Sequence, residues 1–97
     1  MYGLDEQTQR EIHRILSHYS EIQEAILYGS RAKGTYKPFS DVDITLKGEV
    51  SVSTLLDIMR EFEESSIPYL FDVSIFNDLT NPELIEHINR CGKKIYP

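Results

Sequence analysis

Covalent and soft-metal supports are almost missing from this sequence. Its 97 residues include one cysteine and no tryptophan. Cys91 therefore has no partner for an internal disulfide, and no second thiol or nearby histidine with which to build a zinc site. Cations are also scarce: 10 Lys and Arg face 16 Asp and Glu, for a net charge of −6. That balance argues against direct polynucleotide binding, which needs cations clustered against phosphates. No apolar run approaches the roughly 20 residues that cross a bilayer. The opening MYGLDEQTQREI lacks the basic-then-apolar order of a signal peptide, so the expectation is a cytoplasmic chain with no membrane partner. Five glycines and four prolines form no linker, repeat or low-complexity stretch. Hydrophobic residues at 40% and charged residues at 27% are ordinary globular usage, and the length suits one domain, residues 1–97.

What is present alternates between helical and extended patterns. From Asp5 to about Tyr19, apolar residues at Ile12, Ile15, Leu16 and Tyr19 make one helical stripe, with Asp5 and Glu6 where the helix dipole favours anions. Ala25-Ile26-Leu27-Tyr28 reads as a short buried strand stopped by Gly29. A strand-to-helix turn at Gly29-Ser30 and one helical turn over Ser30-Arg31-Ala32-Lys33-Gly34 follow, before the loop containing Pro38. Asp41 to Lys47 alternates polar and apolar, with both aspartates on one face and Val42, Ile44 and Leu46 on the other. Leu55, Leu56, Met59 and Phe62 recur at helical spacing. Leu70 to Phe76 is a third strand candidate, carrying Asp72 and Ser74 opposite Phe71, Val73 and Ile75. Asn81-Pro82-Glu83 opens a last helix, with Leu84, Ile85, Ile88 and Cys91 on one side and Gly92 as its stop. The order α-β-α-β-α-β-α predicts a mixed α/β domain: a small three- or four-stranded mixed sheet with helices packed on it. The connection between the second and third strands is long enough for a helical crossover, which allows them to be parallel.

Aspartate is a poor strand former, so two at the start of one strand and a third inside another need a reason. Gathered carboxylates repel and shift each other's titration unless a cation compensates. Mg²⁺ suits such a set, because it is hard, takes oxygen ligands and binds through one or two carboxylates plus substrate phosphates. Just upstream, Gly29 permits close backbone approach and Ser30 offers a hydroxyl, while Arg31, Lys33 and Lys37 are candidate partners for phosphate. A phosphate cradle beside a metal-binding acid pair implies a nucleoside triphosphate.

The stretch Leu27-Tyr28-Gly29-Ser30-Arg31-Ala32-Lys33-Gly34, followed by Ser40-Asp41-Val42-Asp43-Ile44, resembles the signature of the nucleotidyltransferase superfamily with the DNA polymerase beta-like fold. That signature is Gly-Ser, ten residues, then Asp-x-Asp. The small size resembles the minimal nucleotidyltransferases that are paired with a helical HEPN protein. The resemblance implies that Asp41 and Asp43 ligate two Mg²⁺ ions, with Mn²⁺ as a substitute, and that Gly29 and Ser30 hold the triphosphate. It also implies a third acid on a later strand. Asp72 matches by element order, with Asp57 on a helix face and Asp78 in a turn as alternatives. The implied reaction moves a nucleoside monophosphate, AMP for choice, from an NTP to an acceptor hydroxyl and releases pyrophosphate. The implied acceptor is a tyrosine of a HEPN-type toxin, with this chain as antitoxin. A homo-oligomer is the other source of an acceptor platform.

Each residue also has a plainer reading. Asp41, Asp43 and Asp72 can be solvent-facing strand residues, and Arg31 and Lys33 solvated surface charges. His13, His18 and His87 read as surface histidines without a role. Cys91 continues an apolar stripe and reads as core. Tyr28, Tyr36 and Phe39 flank the motif, able to stack on a base or to pack the fold. The rival function is a binding subunit that neutralises a partner by masking it. A polynucleotide polymerase is disfavoured because the chain has no separate nucleic-acid module.

Overall fold

The computed structural model describes residues 2–97. Helix α1 (Glu6–Leu16) is capped by Asp5, whose carboxylate accepts the Thr8 N–H at 2.7 Å. Strand β1 (Ile22–Tyr28) runs into the single-turn helix α2 (Ser30–Lys33), and β2 (Val42–Gly48) follows the intervening loop. Helix α3 (Val52–Glu64) starts at Ser51, whose hydroxyl accepts the Thr54 N–H. It leads to β3 (Phe71–Ile75), a 3₁₀ turn at Phe76–Asp78, helix α4 (Pro82–Cys91) and β4 (Lys93–Tyr96).

The sheet has four strands in the order β3-β2-β1-β4. β1 is antiparallel to β2 and to β4, while β2 and β3 are parallel and joined by the α3 crossover, as the connection length allowed. One face carries Ala25, Leu27, Val42, Ile44, Leu46, Val73 and Ile75, which bury against Ile12, Ile15 and Leu16 of α1 and Ile58 and Phe62 of α3. The other face is only partly covered: Ile88 of α4 packs with Ile26 and Tyr28 of β1.

Two expectations are corrected. β4 carries no strong strand signal, since its four residues include two exposed lysines, yet it pairs with β1 from Ala25 to Leu27. In α3, Leu56 (56% exposed) and Met59 (39%) turn outward, and Ile58 takes the core position instead. The stripe of a half-covered helix is narrower than its apolar content suggests.

Candidate active site

The site is built where β1 stops. Gly29 adopts φ 76° and ψ −154°, a conformation costly for any residue with a Cβ, and α2 begins immediately after it. A Cβ placed on Gly29 would lie 2.3 Å from Oδ2 of Asp43. Glycine is therefore required for the backbone conformation, and any Cβ would also displace the Asp43 carboxylate. Ser30 is half-buried beside this contact. The turn is closed by the Lys33 N–H donating to the Gly29 carbonyl at 3.1 Å.

Asp43 sits in the middle of a row across the sheet. Its Cα partner on β1 is Tyr28 and its partner on β3 is Asp72. Side chains of directly paired residues share a face. Tyr28, Asp43 and Asp72 therefore lie side by side on the face that α4 only half covers. Asp41, two residues before Asp43, has the same parity but lies exposed just ahead of the strand. Burial, followed by the charges of Asp72 and then Asp41, holds the Asp43 carboxyl above its ordinary pKa, with His87 opposing. Tyr28 is likewise raised, by burial first and then by Asp72 and Asp43, while a hydrogen bond with Ser74 pulls it down. Beneath the acids the Ser74 hydroxyl donates to Thr45 at 3.0 Å, which satisfies a fully buried threonine.

These carboxylates have the chemistry of a hard-cation site. Among the described residues none of the three forms an ion pair with Lys or Arg, so their repulsion is left for something else to relieve. They are not drawn into a closed cage: no group of three His, Cys, Asp or Glu side chains among the described residues is arranged to hold a metal on its own. An open pair of carboxylates fits Mg²⁺, which keeps positions for phosphate oxygens and water, better than it fits Ca²⁺ or Zn²⁺. Asp43 and Asp72, with Asp41 at the margin, are the residues that would hold such an ion.

The cations divide. Lys33 and Lys37 are exposed and free to reach an anion at the rim. Arg31, expected to face phosphate, does the opposite. It is 1% exposed, and its guanidinium donates to the Ser40 carbonyl from Nε at 3.1 Å and Nη2 at 2.8 Å, and to the Tyr2 carbonyl from Nη1 at 2.9 Å. The rings of Tyr36 and Tyr69 lie 5.3 and 4.6 Å from it. Arg31 is a strut that fixes the backbone entering Asp41, and its hydrogen-bonding nitrogens are spent on protein. Tyr36 is 37% exposed but keeps its ring near the Arg31 guanidinium, whereas Phe39 is 90% exposed. Asp57 lies on the solvated side of α3, ion-paired with Arg60, and Asp78 lies in the 3₁₀ turn.

One participant is not recognised from the sequence. His87, on α4, accepts the Gly29 N–H at Nε2 across 3.1 Å and meets Tyr28 edge-on at 6.3 Å. Its signal is positional: Leu84, His87, Ile88 and Cys91 occupy the i, i+3, i+4, i+7 stripe, so His87 belongs to the packed side of α4. Cys91 itself is half-buried.

Among curated proteins nothing matches significantly. Solved structures do share the fold. A chain from a crystal structure described as the toxin-antitoxin with AMP-PNP superposes with a TM-score of 0.73 at 19% identity, covering 90% of this chain and 71% of its own. A chain from a mutant of the toxin-antitoxin MntA-HpeT gives 0.70 at 14% identity, covering 90% and 70%. A chain from Sulfolobus solfataricus, crystallised as a candidate nucleotidyltransferase, gives 0.54 at 19% identity, covering 89% and 73%. At these identities the likeness is one of fold. The profile described as Polymerase beta, Nucleotidyltransferase matches residues 10–97, and the chain belongs to that family.

Proposed function

We propose that this chain transfers a nucleoside monophosphate from an NTP, ATP for choice, to a hydroxyl of a partner protein. The observation that carries the reading is the packing of the Gly29 turn directly on Asp43, with Asp72 in register beside it. That arrangement sets a backbone able to approach phosphate against carboxylates that have no Lys or Arg ion-pair partner among the described residues. Gly29 and Ser30 would seat the triphosphate, with Lys33 at the rim. Asp41, Asp43 and Asp72 would hold up to two Mg²⁺ ions, for which Mn²⁺ can stand in, and the metal supplies charge neutralisation for the phosphates. Asp72, exposed and outermost, would orient the attacking hydroxyl. The hydroxyl oxygen bonds to the α-phosphorus, the bond from that phosphorus to the bridging oxygen breaks, pyrophosphate leaves, and the hydroxyl proton is released to solvent. Positioning and charge compensation are what such a site contributes.

A protein acceptor is favoured over a polynucleotide by what surrounds the acids. Phe39 (90% exposed) and Leu70 (77%) sit on the loops leading into β2 and β3, joined through the Val42 N–H donating to the Leu70 carbonyl at 2.9 Å. Exposed apolar side chains on a molecule of net charge −6 suit a protein surface, not a phosphate backbone. The toxin-antitoxin neighbours, one of them with AMP-PNP, support a toxin as that partner, with this chain as antitoxin. A HEPN-type helical protein is the specific form proposed.

A second reading, a subunit that neutralises its partner by masking alone, is favoured by the same exposed Phe39 and Leu70, which would bind a partner with or without transfer. Incubation of the copurified complex with α-labelled ATP and Mg²⁺ separates the two. Label and an added nucleotide mass on the partner, lost in Asp43→Asn, are expected. A partner still neutralised but never labelled would establish masking, and label that survives Asp43→Asn would overturn the proposed site.

A further inference from the structure

We propose that His87 is a positioning residue that clamps the Gly29-Ser30 turn through the Gly29 N–H. The inference builds on the transferase reading but concerns a residue that this reading leaves without a role.

Helix α4 is itself well anchored. The Asn81 side chain accepts the N–H groups of Glu83 and Leu84, Pro82 occupies the first turn, and Ile88 is buried against Ile26 and Tyr28. His87 therefore presents its imidazole from a fixed platform. Its Nε2 accepts the Gly29 N–H across a sequence separation of 58 residues. In that bond Nε2 is the acceptor, so a ring that makes it carries its proton on Nδ1.

The bonded N–H belongs to the peptide unit between Tyr28 and Gly29. Orienting that unit fixes the direction from which the chain enters the φ 76° conformation, and with it where Ser30 and the first amides of α2 point. Gly29 also lies close to the Asp43 carboxylate, since a Cβ added to it would fall 2.3 Å from Oδ2. Held between imidazole and carboxylate, the turn has one orientation relative to Asp43. Without His87 it would keep its close approach to Asp43 and lose the directional bond to the Gly29 N–H. His87 touches neither phosphate nor acceptor in this scheme and acts through Gly29.

The test compares His87→Ala with His87→Gln, whose amide oxygen can reach the position of Nε2 and accept the same N–H. Alanine is a good helix former, so α4 is retained. Three quantities are read: hydrogen exchange of the Gly29 amide, affinity for MgATP, and Tm. In His87→Ala the Gly29 amide should exchange about tenfold faster or more and MgATP affinity should fall about tenfold, while His87→Gln brings both back to within about twofold of wild type. A His87→Ala protein with unchanged Gly29 exchange and unchanged affinity overturns the clamp. So does a glutamine variant no better than alanine with Tm lowered equally in both, since that is the behaviour of packing alone. A wild-type protein that fails to bind MgATP would remove the transferase reading, and the exchange and its rescue by glutamine would then decide the clamp alone.

Discussion

Asp43 is the residue whose ionisation the fold resists. Burial and the charges of Asp72 and Asp41 raise its pKa above the ordinary 3.8. A carboxyl with a raised folded pKa binds more protons folded than unfolded between the two values. Stability therefore falls as pH climbs through that interval, and the cost persists above it. Asp43→Asn should raise Tm at pH 7 by on the order of 2–5 °C relative to wild type. The advantage should shrink to nothing as pH drops towards 3.8, which paired thermal melts across pH will show. The same variant should lose the stabilisation that saturating MgATP gives wild type, about 2.7 kcal/mol at a hundredfold excess over Kd. Arg31 is the contrasting case. Arg31→Lys should cost about 2–3 kcal/mol in urea unfolding, because an ammonium cannot satisfy the Ser40 and Tyr2 carbonyls together. MgATP affinity well below the melting temperature should stay within about twofold, the outcome that separates a strut from a phosphate ligand.

At the scale of elements, the parts legible in the sequence were those whose determinants lie close together along the chain. Asp5 before α1, Asn81-Pro82 before α4 and the alternation of β2 each encode their element within a few residues, and each element is there. The neighbourhood of Gly29 and Asp43 was legible for the same reason, being a turn and the next strand. Asp72 came from the family resemblance, which implies an acid on a later strand, and the parallel pairing of β3 with β2 sets it in register with Asp43. What stayed illegible depends on distant partners. β4 exists because β1 offers it a free edge, and His87 matters because a glycine 58 residues away needs an acceptor. Arg31 turns inward because two carbonyls and two tyrosine rings await it; no periodicity reports where a side chain on a single helical turn will point. α4 links the local signals to the distant ones. Removing its cap with Asn81→Ala should cost about 1 kcal/mol in chemical denaturation, and Asn81→Asp should recover most of it.

For the whole molecule, the decisive asymmetry is between the two faces of the sheet. α1 and α3 seal one face, and α4 covers only the β1 side of the other, so the row Tyr28, Asp43, Asp72 runs from shelter to solvent. In the proposed reaction the acceptor would arrive on the open side, with the exposed Phe39 and Leu70 as its docking contacts. Combining Phe39→Ser with Leu70→Glu should leave MgATP affinity unchanged within about twofold and reduce nucleotide transfer to the partner by about tenfold or more. The measurement is transfer rate as a function of partner concentration. Equal transfer by the variant and wild type would move the acceptor to another surface.

The tight seating of Gly29 on Asp43 has a mechanical corollary. A bend and a carboxylate with no room for a methyl group between them shift together more readily than apart. Whatever settles on the bend is felt at the carboxylate with no intermediary, so the nucleotide and its counterion should load as one event, each stiffening the seat of the other.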